Sequence, residues 1–156
     1  MEALGYALFD TPLGHCGLAW SERGVVCLHL PERDESSTRA YLRGRFAQAA
    51  ELVPEGAVAE AVQRVRGLLR GARDDLQSVA VDLSAQPPFA RRVYVAARGI
   101  GVGHTSTYGE IARQLGAPGA ARAVGQALGQ NPVAIIVPCH RVLAAGGRIG
   151  CFAAHG

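Results

Sequence analysis

Lysine is absent from this chain of 156 residues, and all 16 of its basic side chains are arginine. This absence excludes Schiff-base formation and every other reaction that uses a lysine nucleophile. Arginine makes bidentate contacts to phosphates and base edges that lysine cannot make. Genome composition alone produces the same bias, so the arginine content by itself identifies no partner.

Long apolar segments and a strong net charge are also missing. Hydrophobic residues make up 49% of the chain, yet no stretch approaches the roughly 20 residues needed to span a membrane. The N-terminus lacks the basic flank, apolar run and cleavage site of a secretion signal. We therefore expect a soluble protein without a membrane partner, cytoplasmic in a bacterium or nuclear in a eukaryote. The formal charge of +3 gives only weak support for a nucleic-acid partner.

Cysteine is scarce but chemically important. The four cysteines are Cys16, Cys27, Cys139 and Cys151. A chain of this size needs no disulfides for stability, so we expect reduced thiols inside a cell. Cys16 and Cys27 lie near His15 and His29 on neighbouring predicted strands. Because side chains alternate between the faces of a strand, His15 and Cys16 point in opposite directions, and we predict no metal site and no cofactor.

The N-terminal half has the pattern of a strand meander followed by helices. We predict strands over residues 6–9, 16–20, 25–30 and 79–83. We predict helices over residues 38–49 and 58–70. Ser36 and Ser37 are candidate caps for the first helix. Good turn residues separate the first three strands, so a meander is expected.

The C-terminal half is predicted to be mostly helical. Residues 84–88 have the composition of a linker, so we predict one domain over 1–84 and a second over 85–156. We predict helices over 89–98, from Ser106 or Thr107 to 115, and from Pro118 to about 129. Glu110 has the spacing of a capping box with Thr107, and Gly116 ends that helix. Two short helices joined by such a turn predict a helix-turn-helix. The fold class is therefore α/β (α+β), an antiparallel-sheet and helix domain followed by a helical DNA-binding domain.

The apolar run over residues 133–137 leads directly into Pro138, Cys139, His140 and Arg141. We predict a buried strand or extended segment that Pro138 ends and redirects, so that Cys139 lies at the rim of the core. A thiol becomes a strong nucleophile as its thiolate, which nearby positive charge favours. The alternative is a buried structural cysteine, since free cysteine is among the most buried residue types.

Residues 138–142, Pro-Cys-His-Arg-Val, resemble the active-site signature of the O6-alkylguanine-DNA alkyltransferases, a family of suicide DNA-repair proteins. The segments 107–112, 116–118, 122–127 and 131–132 resemble that family's helix-turn-helix in order and spacing. The resemblance covers most of the chain and is loose between residues 31 and 80. It implies a monomer that acts on double-stranded DNA carrying O6-alkylguanine, with O4 of thymine as a further candidate. The implied activity is that of a single-turnover methylated-DNA–[protein]-cysteine S-methyltransferase.

The resemblance also implies roles at the reacting centre. Cys139 is the alkyl acceptor, and the thioether that it forms is irreversible, so each molecule reacts once. His140 is the base that takes the thiol proton, through a water. Asn131 and Pro138 have structural roles near the site, where Asn131 ties the second helix of the motif to the active-site segment.

The DNA-binding residues implied by the resemblance are Tyr108, Arg122, Ala123, Gly125 and Arg141. Arg122 enters the base stack and fills the gap left by a flipped nucleotide, and Tyr108 crowds the phosphate that rotates during flipping. Small residues such as Ala123 and Gly125 suit a helix that lies in the minor groove. Without the resemblance, Arg122 would be a solvent-facing arginine and Tyr108 a half-buried aromatic under the motif.

The pattern departs from the family after Val142. Phe152 stands in place of the usual tyrosine. The sequence stops at Gly156, before the family's final helix with its histidine-orienting glutamate, so we expect either a truncated product or a substitute such as Asp82 or Glu110. These departures predict weakened activity. They keep open a second function, a non-catalytic alkyltransferase-like protein that flips and flags alkylated bases. A cysteine hydrolase with a Cys-His pair is a third and weaker interpretation. Cys151 is either a bystander or an oxidation partner of Cys139.

Overall fold

The computed structural model describes residues 3–144 and has a mixed α/β architecture. Strands β1 (Gly5–Thr11), β2 (Gly14–Ser21) and β3 (Gly24–His29) form the antiparallel meander that the alternation predicts. A two-residue strand, β4 (Ala50–Glu51), pairs in parallel with β1, giving the order β3-β2-β1-β4. The sequence did not predict β4, because two exposed residues are too few to show a period of two.

Two helices follow the meander, α1 (Glu35–Arg45) and α2 (Gly56–Leu69). The prediction that Ser36 or Ser37 caps α1 is wrong. The Asp34 carboxylate is the cap, since its Oδ1 accepts from the Ser37 N–H at 2.8 Å, and α1 therefore begins and ends earlier than expected.

Two separate segments cover the outer edge of β3. Residues 79–83 were predicted as a strand but form only an isolated bridge between Val81 and Val25. The Val25 N–H donates to Ala80 O at 2.9 Å, the Asp82 N–H donates to Val25 O at 2.8 Å, and the pairing extends no further. At the other end of the strand, Leu28 carries an isolated parallel bridge to Val133. The second segment comes from the C-terminal half, so the sheet and the predicted active-site region are joined by backbone hydrogen bonds.

The C-terminal half contains α3 (Pro88–Arg98), α4 (Tyr108–Gln114) and α5 (Ala121–Gly129), and two short strands, β5 (Ser106–Thr107) and β6 (Val142–Leu143), that pair in parallel. The helix-turn-helix of α4 and α5 is present as predicted. The expected position of Pro118 in the first turn of α5 is wrong. Ala120 donates to Ala117 O at 2.9 Å, and this separate turn delays the start of the helix.

One hydrophobic core cluster runs through the described residues of both halves. Cys16 belongs to it, whereas Cys27 belongs to a smaller cluster on the opposite face of the sheet, under α1. The two cysteines therefore cannot share a ligand. The predicted division at residue 84 stays a prediction. Within residues 3–144, no helix combines the length and the apolar character needed to cross a membrane.

Candidate active site

The apolar run before Cys139 is buried, but it is not a strand. Ile136 donates to Ala134 O at 2.8 Å, which closes a tight three-residue turn around Ile135. Ile135 has a φ of +72°, in the left-handed region that β-branched residues rarely adopt. Such a conformation costs on the order of 1–3 kcal/mol and persists only where the surroundings fix it. The sequence prediction of an extended segment is therefore wrong.

Pro138 forms the centre of a second tight turn. Its φ of −81° and ψ of 66° are those of an inverse γ-turn, and the Cys139 N–H donates to Val137 O at 2.8 Å across it. The pyrrolidine ring favours this φ and removes a donor that the turn does not need. Pro138 therefore ends the run and redirects the backbone at Cys139.

Asn131 holds both ends of the turn segment. Its side-chain Nδ2 donates to Val137 O at 2.9 Å, and its Oδ1 accepts from the Val133 N–H at 2.9 Å. The side chain is buried, and it lies two residues after the end of α5. A displacement of α5 would therefore be transmitted to the turns that carry Cys139.

Cys139 lies at the margin of the core, with 7% of its surface exposed. It begins a 3-10 turn, Cys139–Arg141, in which the Arg141 N–H donates to Pro138 O at 2.9 Å and the Val142 N–H donates to Cys139 O. The chain then enters β6. Cys139 is therefore nearly covered, and its backbone is fixed on both sides.

His140 is exposed beside Cys139. Partial burial of its ring, and then the positive charge of Arg141, lower the pKa of His140 from the ordinary 6.5. A lowered pKa keeps the imidazole neutral near pH 7, and only a neutral imidazole can accept a proton. The electrostatics therefore suit His140 to the role of a base.

Arg141 lies under the site instead of projecting from it. Only 9% of its surface is exposed, and its Nη1 donates to Ile100 O at 2.8 Å. This bond ties the 3-10 turn to the glycine-rich connection over residues 99–103. The contact to DNA expected for Arg141 stays a prediction. In the structure its guanidinium instead binds a backbone carbonyl within the protein.

The helix-turn-helix is fixed to the acceptor segment through the β5–β6 pair. Ser106 lies opposite Val142 in the register, and Thr107 lies opposite Leu143. Thr107 also caps α4, because its Oγ1 accepts from the Glu110 N–H at 3.1 Å. The last described strand after Cys139 therefore aligns the first helix of the motif.

The predicted DNA-binding residues on α4 and α5 differ in exposure. Arg122 is exposed on α5, and Ala123 and Gly125 are half-buried. Tyr108, the first residue of α4, is half-buried with its ring against α5, and burial raises its pKa. The hydroxyl of Tyr108 is buried and has no hydrogen-bond partner within residues 3–144. Arg122 is thus free to reach a ligand, and Tyr108 packs between the two helices.

The cysteines of the sheet have a different environment. Cys16 and Cys27 are both buried free thiols. Burial raises the pKa of Cys16, although a hydrogen bond with Thr11 lowers it in part. Burial raises the pKa of Cys27 to about 12. Neither thiol ionises near pH 7, so neither competes as a nucleophile.

The side chains of both suggested substitutes for the family's histidine-orienting glutamate have other partners in the structure. Asp82 accepts from Ser21 Oγ at 2.6 Å and from Ser84 Oγ at 2.6 Å, beside the sheet. Glu110 accepts from Ser106 Oγ at 3.3 Å. Neither arrangement orients His140, so that suggestion is not supported. The interpretations of Cys151 and Phe152, and of the end of the chain, lie outside the described residues.

Sequence reasoning missed the groups that fix the site from outside the signature. Leu28 contributes its backbone N–H and carbonyl to the segment before the site, and Ile100 contributes its carbonyl to Arg141. Ile135 contributes its unusual backbone. These contributions come from backbone atoms, which every residue type has, so no side-chain pattern marks them.

Residues 88–156 match the family model described as 6-O-methylguanine DNA methyltransferase, DNA binding domain. Over 141 residues the chain is 50% identical to the methylated-DNA–protein-cysteine methyltransferase of Mycobacterium leprae, across 90% of this chain and 78% of that protein. It is 48% identical over 145 residues to the protein of the same name from Mycolicibacterium paratuberculosis, across 92% and 81%.

Solved structures agree with these relatives. The Mycobacterium tuberculosis OGT in complex with DNA superposes with a TM-score of 0.75 at 36% identity, across 96% of this chain and 84% of that chain. The M. tuberculosis O6-methylguanine methyltransferase gives a TM-score of 0.71 at 38% identity, across 92% and 80%. The chain belongs to the O6-alkylguanine-DNA alkyltransferase family.

Proposed function

We propose that this protein repairs DNA by moving an alkyl group from O6 of guanine in a duplex to the sulfur of Cys139. The observation that carries the proposal is the position of Cys139 at the surface margin of the core. It lies on a turn clamped by Asn131 and joined to the helix-turn-helix by the β5–β6 pair. The names of the relatives, and the DNA bound to one structural neighbour, support the same activity.

The reaction is an in-line displacement. His140 takes the thiol proton, directly or through a water, and the thiolate of Cys139 attacks the alkyl carbon on O6. The new carbon–sulfur bond forms as the carbon–O6 bond breaks. Guanine leaves with the electron pair of that bond and is protonated. The product thioether is not hydrolysed, so one molecule of protein repairs one lesion.

Access to the lesion requires the nucleotide to leave the base stack. Extrusion costs a few kcal/mol, which DNA contacts must offset. Arg122 is exposed on α5 and has a planar guanidinium that can stack and donate where the base was. Affinity for undamaged duplex comes mainly from phosphate contacts and falls as salt rises.

The decisive experiment is to incubate the protein with a duplex containing O6-methylguanine and weigh its peptides. We expect one methyl on the peptide containing Cys139, and none on those containing Cys16 or Cys27, because burial raises the pKa of both thiols. Cys139→Ser is the matched control and gains no mass.

Other outcomes separate the alternatives. Tight, lesion-selective binding without a mass gain would assign the chain to the non-catalytic lesion-binding class. Methylation at Cys16 or Cys27, or undiminished transfer by Cys139→Ser, would overturn the assignment of the acceptor.

A further inference from the structure

Gly125 and Tyr108 make an unusually close contact between the two helices of the motif. A Cβ built on Gly125 would lie 2.8 Å from Cε2 and 3.1 Å from Cδ2 of the Tyr108 ring. Ordinary contacts of a Cβ begin near 3.4 Å, so a methyl group here would have to displace the ring by about 0.6 Å. Glycine is therefore the only residue that leaves the ring where it is.

Helix propensity gives no reason for glycine at this position. Gly125 lies in the middle of α5 (Ala121–Gly129), and it is not among the glycines with positive φ. In a helix interior, glycine is less favourable than alanine by roughly 0.5–1 kcal/mol. The cost is explained by the Tyr108 ring, which occupies the volume of the missing side chain.

The ring that Gly125 admits carries an unusual hydroxyl group. The Tyr108 Oη is buried without a hydrogen-bond partner among the described residues, although buried hydroxyls are normally paired. The ring itself is half-buried, at the first residue of α4. The hydroxyl can form a hydrogen bond with an incoming partner, and the direction of that bond depends on the position of the Tyr108 ring.

We propose that Gly125 is a positioning residue that acts on DNA through Tyr108, and that its lack of a side chain does more than give clearance to the groove. This inference rests on the proposed function, in which the motif faces the DNA backbone during nucleotide extrusion. In this arrangement α5 presents Arg122 to the stack and also sets the position of the tyrosine on the neighbouring helix. Gly125 therefore couples the position of Arg122 on α5 to the position of the Tyr108 ring on α4.

A double-mutant cycle tests the contact itself. Thermal unfolding is measured for the unmodified protein, Gly125→Ala, Tyr108→Ala and the double variant. Gly44→Ala is the matched control, since Gly44 is also helical and has nothing within 4 Å of a built Cβ. We expect Gly125→Ala to lower Tm in the presence of the ring and not to lower it in the Tyr108→Ala background. A loss of Tm that is equal in both backgrounds overturns the contact.

The same four proteins test the action on DNA. Single-turnover methyl transfer gives a limiting rate and an apparent Kd, and 2-aminopurine fluorescence in a duplex reports extrusion. We expect Gly125→Ala to lower the limiting rate roughly tenfold to a hundredfold, as a small misplacement of a positioning group does. The Kd for duplex should change little, and Gly125→Ala should add no slowing in the Tyr108→Ala background.

Each remaining outcome has a defined meaning. If Gly125→Ala weakens duplex binding by the same factor in both backgrounds, the glycine only contacts the groove and the inference fails. If Gly125→Ala alone fails to fold because of the clash with the ring, a folded double variant supports the proposed contact between Gly125 and Tyr108, and an unfolded double variant overturns that contact. Failure of the proposed function is distinguishable, because the unmodified protein would then transfer no methyl group at all.

Discussion

Asn131 satisfies two buried backbone groups that no neighbouring strand reaches. It accepts from the Val133 N–H and donates to Val137 O, each at 2.9 Å. Val137 O has a second donor in the Cys139 N–H, whereas the Val133 N–H donates to the Asn131 side chain. The amide is therefore needed above all for its acceptor.

We predict that Asn131→Ala lowers the free energy of unfolding by about 1–3 kcal/mol, because it leaves the buried Val133 N–H without an acceptor. Asn131→Asp should also destabilise, since a carboxylate still accepts from the Val133 N–H but places its second oxygen against Val137 O with no hydrogen between them. Urea unfolding measures both changes. The exposed neighbour Gln130, changed to alanine, is the control, and equal effects of Gln130→Ala and Asn131→Ala would contradict the prediction.

The lowered pKa of His140 predicts how the transfer rate depends on pH. Its pKa is lowered by burial and by Arg141, so the imidazole stays neutral to a lower pH than an ordinary histidine. Transfer should therefore persist as the pH falls and lose its histidine-dependent part only at a midpoint below 6.5. Single-turnover rates across pH measure this midpoint. His140→Gln should abolish this limb, and a midpoint above 6.5 would be inconsistent with the environment described.

The turn between α4 and α5 allows a prediction at the scale of an element. Gly116 has a φ of +76° and open space where a Cβ would stand, while Gly119 in the same turn has open space and no positive φ. Gly116→Ala should destabilise the protein by about 1–2 kcal/mol, because only the backbone conformation opposes the side chain. Gly119→Ala is the matched control and should not destabilise. Thermal unfolding of both variants checks the difference, and equal losses would refute the argument.

The elements that the sequence predicted well are those in which side-chain pattern and turn chemistry agree. The meander of β1 to β3 follows from alternation and from turn residues between the strands. Helix α3 begins at Pro88 and ends at Arg98, within one residue of the expected bounds. In these elements, each residue contributes a local preference that the tertiary structure does not override.

The run over 133–137 was predicted wrongly for a physical reason. A buried strand and a buried pair of tight turns require the same apolar composition, so burial alone does not distinguish them. Ile135 has a strong preference for extended backbone, yet it adopts φ +72° because Asn131 and the edge of β3 fix the segment on both sides. Tertiary contacts decide this conformation, and they are not encoded in the local sequence.

Arg98 links the two halves at the scale of the whole molecule. Its Nη2 donates to the carbonyls of Leu76, Gln77 and Val79 at 2.9, 3.2 and 2.7 Å. The Gln77 Nε2 returns a bond to Arg98 O at 2.9 Å. Three carbonyls that precede the predicted linker are thus satisfied by the end of α3.

We predict that Arg98→Met destabilises the protein by about 2–4 kcal/mol, since an apolar side chain of similar length removes the Arg98 donor from the Gln77 and Val79 carbonyls, while Leu76 O keeps the Val79 N–H. Arg91→Met is the control, because exposed Arg91 makes a single bond of 3.2 Å to Gln86 O, and its loss should cost less than about 0.5 kcal/mol. Chemical denaturation gives both values. Two separate transitions appearing in Arg98→Met would further indicate that Arg98 couples the halves, whereas a loss no larger than the control would argue against the link.

For the candidate site, the sequence predicted the reacting residues and missed the framework around them. Cys139 and His140 could be proposed because their chemistry resides in side chains adjacent in the chain, and their roles stay predictions. The support from Leu28 and Ile100 is made by backbone atoms distant in sequence, and only the folded chain brings them together. The DNA contact of Arg141 was implied by the resemblance alone and stays a prediction, whereas its bond to Ile100 O could not be read from the sequence.

The covered edge of β3 has a consequence for the aggregation of the protein. An exposed strand edge invites foreign chains to add to the sheet, and here the backbone just ahead of the reactive sulfur closes part of that edge. A foreign chain could add to the sheet there only by first displacing the turn segment that precedes Cys139. Resistance to aggregation and the geometry of the candidate site therefore depend on the same backbone bonds, so we expect a molecule whose sheet has opened at this edge to lose the proposed activity as well.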